Sequence, residues 1–155
     1  MKLFLAPNDI AALTGFNGNI DNDSIKPAIN TAQTTQVKRI LGTKLYNKIY
    51  TDLNILTGNY LIIYNDYVVY MTAFFTASIY LSLSVDKVSN AGVFKLSAEN
   101  ATNSSDTKVN QLSKNYEAIA ISYETNFKEF MGTITIPEYG EEEITKETTN
   151  FIPWY

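Results

Sequence analysis

The sequence predicts an all-α protein: a small helical bundle around a central hydrophobic helix, with a long loop or small hairpin at about 86–107 and an extended C-terminal tail. Three observations predict it. Residues 61–85 form a helix-length run that is apolar on nearly every side and carries a single charge, Asp66. A helix that is greasy all round belongs at the centre of a bundle or inside a bilayer, because a surface helix needs only one apolar stripe. Later, Val109, Leu112, Tyr116, Ile119, Tyr123, Phe127 and Phe130 recur three and four apart, the spacing of one helix face. The breaks between helical stretches are short, which suits neighbours packed side by side.

Pro7, Asn8 and Asp9 precede Ile10-Ala11-Ala12-Leu13, which predicts a short helix capped by Asn8 or Asp9 and ended near Gly15. The polar stretch from Asn17 to Ser24 is turn-forming, with Asp23 or Ser24 as the next cap and Pro27 in the first turn that follows. Ile25, Ala28, Ile29, Ala32, Ile40 and Leu41 keep helical spacing, although Thr34, Thr35 and Gln36 weaken the middle. Gly42 stops this helix, and Thr43 caps a second one in which Leu45, Tyr46, Ile49, Leu53 and Leu56 share a face. The central helix begins at about Tyr60. Residues 86–107 lose the helical period, and Asn90-Ala91-Gly92 between Lys87-Val88 and Val93-Phe94-Lys95-Leu96 predicts a small hairpin. Ser105, Asp106 or Thr107 caps the last long helix, whose apolar stripe is expected to pack on the central one, with Gly132 as its stop. Thr133-Ile134-Thr135-Ile136-Pro137 alternates like a short edge strand. The expected organisation is therefore a helical domain, 1–132, and an extended docking tail, 133–155.

Composition narrows function. A net charge of -4 and a single arginine, Arg39, argue against a phosphate-binding surface. Histidine and cysteine are both absent, which removes the commonest acid–base group, the thiol nucleophile and the usual zinc ligands. No enzyme activity, no cofactor and no metal are expected. The N-terminal apolar stretch is too short for a signal peptide, so synthesis in the cytosol is expected.

Individual candidates are weak. Asn17, Asn19, Asp21 and Asp23 alternate like the start of a calcium loop, but Asn22 and Ala28 stand where Gly and Glu are needed. Gly42-Thr43-Lys44 lacks the earlier glycine of a phosphate loop and reads as a helix stop and start. Asp66 in the apolar run is a conceivable acid or base, yet near a helix N-terminus it more simply faces water. The eleven tyrosines fit helix contacts and subunit interfaces better than a sugar-stacking surface. From Tyr67 to Val85 no charge interrupts a span-length run, so a small membrane-anchored protein spanning through residues 61–85 is the alternative. Five Ser and Thr residues dilute that run and no Lys/Arg cluster flanks it, which favours burial in protein.

Pro7-Asn8-Asp9-Ile10, Ile20 to Ile29, Thr31-Ala32-Gln33, Ile40-Leu41-Gly42-Thr43-Lys44-Leu45-Tyr46-Asn47-Lys48-Ile49 and Leu56 to Tyr60 resemble the N-terminal half of head-to-tail connector proteins of phages infecting Bacteroidetes, including crAss-like phages. The resemblance covers about residues 5–85, continues weakly to Pro137-Glu138-Tyr139, and stops there. It implies a virion structural protein, an adaptor ring between portal and tail at the neck, assembled in the host cytoplasm. The implied partners are further copies in a ring, expected to be dodecameric, the portal protein, and the next tail or ring protein. Genomic DNA would pass through the channel without sequence-specific binding, and no membrane is implied. By analogy, Ile134, Ile136, Pro137, Tyr139, Phe151, Ile152, Trp154 and Tyr155 would dock on the portal, the first of them by strand addition. Lys87, Asn90, Val93, Phe94 and Lys95 would meet the next ring or the channel.

Overall fold

The computed structural model describes residues 1–16, 20–84, 87–89, 92–94 and 106–140. The fold is all-α, with two long rods and one long helix accounting for most of it. Helix α1 is Pro7–Thr14. The first rod joins α2 (Asn22–Thr31), a wide π-helical stretch (Ala32–Val37) and α3 (Lys38–Leu41). Helix α4 (Thr43–Asp52) follows a break at Gly42. The second rod joins α5 (Gly58–Ile63), a second π-helical stretch (Tyr64–Val68) and α6 (Val69–Ser84). Strands β1 (Lys87–Ser89) and β2 (Gly92–Phe94) pair antiparallel with Val88 opposite Val93, so the expected small hairpin forms. Helix α7 runs from Asp106 to Met131.

Several local expectations shift. Ala6, not Asn8 or Asp9, is the N-cap of α1, because Pro7 takes the first helical position and the Asp9 carboxylate reaches back to accept the Ala6 N–H at 3.2 Å. Asp21 caps α2 by accepting from the Asp23 N–H, so that helix starts earlier than Asp23 or Ser24 would allow. Pro27 consequently sits inside the helix and not in its first turn. Gly42, with φ of 75°, makes the corner between α3 and α4, a backbone region that costs other residues steric strain.

The central rod is apolar all round because it is enclosed on several sides. On one side Ile63, Val68, Met71 and Phe75 join Val37, Leu41, Leu45, Ile49 and Phe127 in the main core. On another, Ala73 packs with Leu5, Ile10, Ile25 and Ile29 in a second cluster beneath α1 and α2. The third side is α7, which forms the largest inter-helix contact of the molecule. Gly58–Ser84 is long and apolar enough to cross a membrane by length and composition, and here other helices pack on three sides of it while Leu61, Ile62 and Leu83 stay exposed.

Helix α7 packs on α6 as the sequence predicts, but the pattern did not predict which face it buries most deeply. Its buried residues are Ser113, Ala120, Glu124, Phe127 and Met131, a face that shares only Phe127 with the apolar stripe and is rotated from the rest of it. Small side chains set this rotation. Ser113 Oγ donates to the Ser78 carbonyl at 2.9 Å and lies 3.1 and 2.8 Å from the Ser78 and Ser82 hydroxyls, while Ala120 is fully buried. A close hydrogen-bonded seam of small residues brings the helices together and turns the bulky stripe to the flank.

The segment after α7 is not an edge strand. Residues 133–140 form turns and bends, with Ile136 buried in the main core and Ile134 and Tyr139 packed against it. The Tyr139 ring meets Phe127 edge-on at 5.5 Å, and the Tyr60 hydroxyl donates to Glu138 Oε2 at 2.6 Å. Up to Gly140 this segment belongs to the helical body.

Candidate functional site

Two surfaces are built well enough to have a role. The first is the flank of α7 left by that rotation. Leu112, Tyr116, Ile119, Tyr123 and Phe130 run along it, with Leu112 43% and Ile119 39% exposed and the aromatics half-buried. The rings interlock with the second rod: Tyr70 stacks on Tyr123 at 4.8 Å, Tyr67 on Phe130 at 5.3 Å, and Phe74 on Tyr123 and Tyr116 at 5.9 and 6.1 Å. Phe16 and Tyr80 continue the row beyond Tyr116, whose hydroxyl donates to the Thr14 carbonyl at 2.8 Å. The tyrosines therefore serve helix contacts, and their outer edges make an amphipathic band of the kind enriched at protein interfaces.

The second surface is a charged groove of about 1140 Å³ between the α3–α4 corner, α7 and the turn at 138–140. Lys38, Arg39, Lys44 and Lys128 line it, together with Glu124 and Glu138. Glu124 is its fixed point. Arg39 Nη1 and Nη2 donate to Glu124 Oε1 and Oε2 at 3.3 and 3.0 Å, and Lys128 Nζ donates to Oε1 at 2.6 Å. Burial pushes the Glu124 carboxyl up, but the hydrogen bonds and charges of Arg39 and Lys128 outweigh it and hold the group below its usual range. The chain's single arginine thus ties the first rod to α7. Lys38 Nζ lies 5.7 Å from the centre of the Tyr46 ring.

The residues singled out from sequence fare differently. Ile136 is 6% exposed, Ile134 and Tyr139 are half-buried, and Pro137 is exposed, so these four do not form a strand free to pair with a partner. Phe151, Ile152, Trp154 and Tyr155 lie outside the described residues, as do Asn90 and Lys95. Lys87, Val93 and Phe94 are brought together in the hairpin, Lys87 opposite Phe94. Asp66 is exposed, in the second π-helical stretch. Asp21 acts as a cap, and Asp23 pairs with Lys26 at 2.7 Å. Neither the α7 flank nor the groove was read from sequence. Only the predicted stripe on α7, seen as core, pointed to the first of them.

No curated protein and no solved structure matches the chain. Residues 37–149 match the model of a family of unknown function, DUF6712, a match that runs through α3, α4, the second rod and α7 and beyond Gly140. It covers most of the chain, and the protein belongs to that family.

Proposed function

We propose that the protein is a structural subunit of a phage virion, a head-to-tail adaptor that forms a ring between portal and tail. The half-covered flank of α7 carries this reading. A single subunit leaves Leu112 and Ile119 open beside a row of interlocked aromatic rings, and a second copy laid against that row would complete their burial. Ring closure needs a heterologous contact, in which this flank meets a different face of the neighbour. Ile121, 48% exposed and about two and a half turns from Leu112, offers an apolar spot on the opposite flank. The sequence resemblance to phage connectors in residues 5–85 supplies the biological setting, with the portal and the next tail component as partners. Portal docking falls to Phe151, Ile152, Trp154 and Tyr155, since Ile136 is engaged within its own subunit. The role is structural and not catalytic.

Ile119→Glu tests it on full-length protein. The variant is expected to keep its helicity and thermal midpoint and to lose ring formation, scored by sedimentation and electron microscopy with and without portal. Wild-type protein that stays monomeric with portal present would overturn the proposal. The span-like rod Gly58–Ser84 favours a membrane anchor as the second reading. Partition of wild-type protein into vesicles instead of buffer would select it.

A further inference from the structure

We infer that the half-covered flank of α7 receives the opposite side of the same helix from a second copy, the two helices parallel, with Lys128 of that copy seated beside Asp66 and Glu129. This rests on the ring reading and names the contact that would build it. The flank ends in a recess of about 460 Å³. Tyr67, stacked on Phe130 at 5.3 Å, and Tyr123 supply its apolar wall, and Asp66, Asn126 and Glu129 its exposed rim. Among the described residues neither carboxylate has an ion-pair or hydrogen-bond partner. An aromatic wall beside two unpaired carboxylates suits a lysine, whose stem packs on the rings while its ammonium meets the acids.

Helix geometry selects the lysine. Ile119 and Ile121 are two residues apart, as are Asn126 and Lys128, which sets the members of each pair about 200° apart round α7 and about 3 Å apart in height. In both pairs the first residue lies on the flank and the second on the far side. Seven residues, about 10.5 Å, separate the two pairs along the helix. Parallel copies that bring Ile121 against Ile119 therefore bring Lys128 beside Asn126 and Glu129 at the same offset. Antiparallel copies matched at Ile119 would instead carry Lys128 to Leu112, away from the recess. Lys128 has capacity for a second carboxylate: Arg39 already spans both oxygens of Glu124, Lys128 Nζ reaches Glu124 Oε1 with one of its three donors, and its side chain is 55% exposed. Parallel neighbours are also what a ring of many copies requires, because adjacent subunits differ by a small rotation, and pairing at one height stands α7 close to the ring axis.

Full-length protein assembled with portal tests this, and the absence of native cysteine makes introduced pairs unambiguous. On oxidation, I119C/I121C and L112C/K114C are both expected to give a ladder of disulfide-linked multimers, whereas antiparallel copies would link only the first pair. Rings seen by electron microscopy without a ladder from L112C/K114C would overturn the parallel contact and leave the ring standing. Glu129→Gln and Lys128→Gln are each expected to raise the concentration for half-assembly about fivefold in low salt, and the double variant no further than either alone. The Arg39–Glu124 pair survives in all three, so their thermal midpoints are expected to stay within a few degrees of wild type. Losses that multiply in the double variant, or no loss in either single one, would overturn the seat for Lys128. Wild-type protein that forms no ring with portal overturns the ring reading itself and this contact with it.

Discussion

Gln33 is fully buried, and its amide is used at both ends: Oε1 accepts the Phe4 N–H at 2.8 Å and Nε2 donates to the Lys2 carbonyl at 2.9 Å. Tyr64 completes the clamp by donating to the Phe4 carbonyl at 2.6 Å, and Tyr50 accepts from the Lys2 N–H at 3.1 Å. Gln33 and Tyr64 lie in the two π-helical stretches, so the two irregular turns of the rods satisfy the backbone of one N-terminal residue. The Phe4 ring fills the space among Tyr46, Tyr50 and Tyr64. Gln33→Ala strands the buried Phe4 N–H and the part-buried Lys2 carbonyl and is expected to cost about 2 kcal/mol in urea unfolding. Removing residues 1–4 should cost more, because Phe4 goes with them, and Gln33→Ala on top of that deletion should add little. Thr72 shows the opposite case. Its buried hydroxyl has no hydrogen-bond partner among the described residues, so Thr72→Val is expected to raise stability by about 1 kcal/mol.

At the scale of elements, the rotation of α7 makes a prediction that hydrophobicity alone would reverse. Ser113→Leu adds an apolar side chain to a helix contact, yet the close seam with Ser78 and Ser82 leaves no room for it. Overpacking there should destabilise by about 1–3 kcal/mol. Ile119→Ser removes an apolar side chain from the flank and should change folding stability by less than about 0.5 kcal/mol, read as the shift in the denaturant midpoint. The link between α3 and α7 responds to pH. Glu124 titrates below its ordinary range in the folded chain, so its contribution is complete above the unfolded carboxyl value and is lost as pH falls through the folded one. Unfolding free energy should therefore decline as pH falls below about 4.5, and Glu124→Gln should flatten part of that decline.

For the whole molecule, the place of truncation separates folding from docking. Cutting after Gly132 removes Ile136 from the core along with the Tyr139–Phe127 and Tyr60–Glu138 contacts. Burial of Ile136 alone is worth about 1.5–3 kcal/mol, so this truncation should lower the thermal midpoint by several degrees. Cutting after Gly140 keeps those contacts and should leave stability within about 1 kcal/mol of the full chain, the scale of exposed ion pairs. The second truncation is the one that asks whether residues 141–155 bind portal.

The sequence alone settled the helical class, the central position of the 61–85 run, the break at Gly42, the hairpin after α6 and the end of α7, because period, glycine and turn chemistry are local properties. It also marked the weak middle of the first rod. There Thr34 and Thr35 hydroxyls bond back to the Asn30 and Thr31 carbonyls, although nothing local announced a π-helical turn with Gln33 inside. The face α7 buries, the fate of Ile136, and the meeting of Arg39 with Glu124 were decided only in three dimensions. Each depends on how closely two surfaces distant in sequence approach, which small residues such as Ser78, Ser113 and Ala120 control and which a count of apolar positions along one helix does not contain.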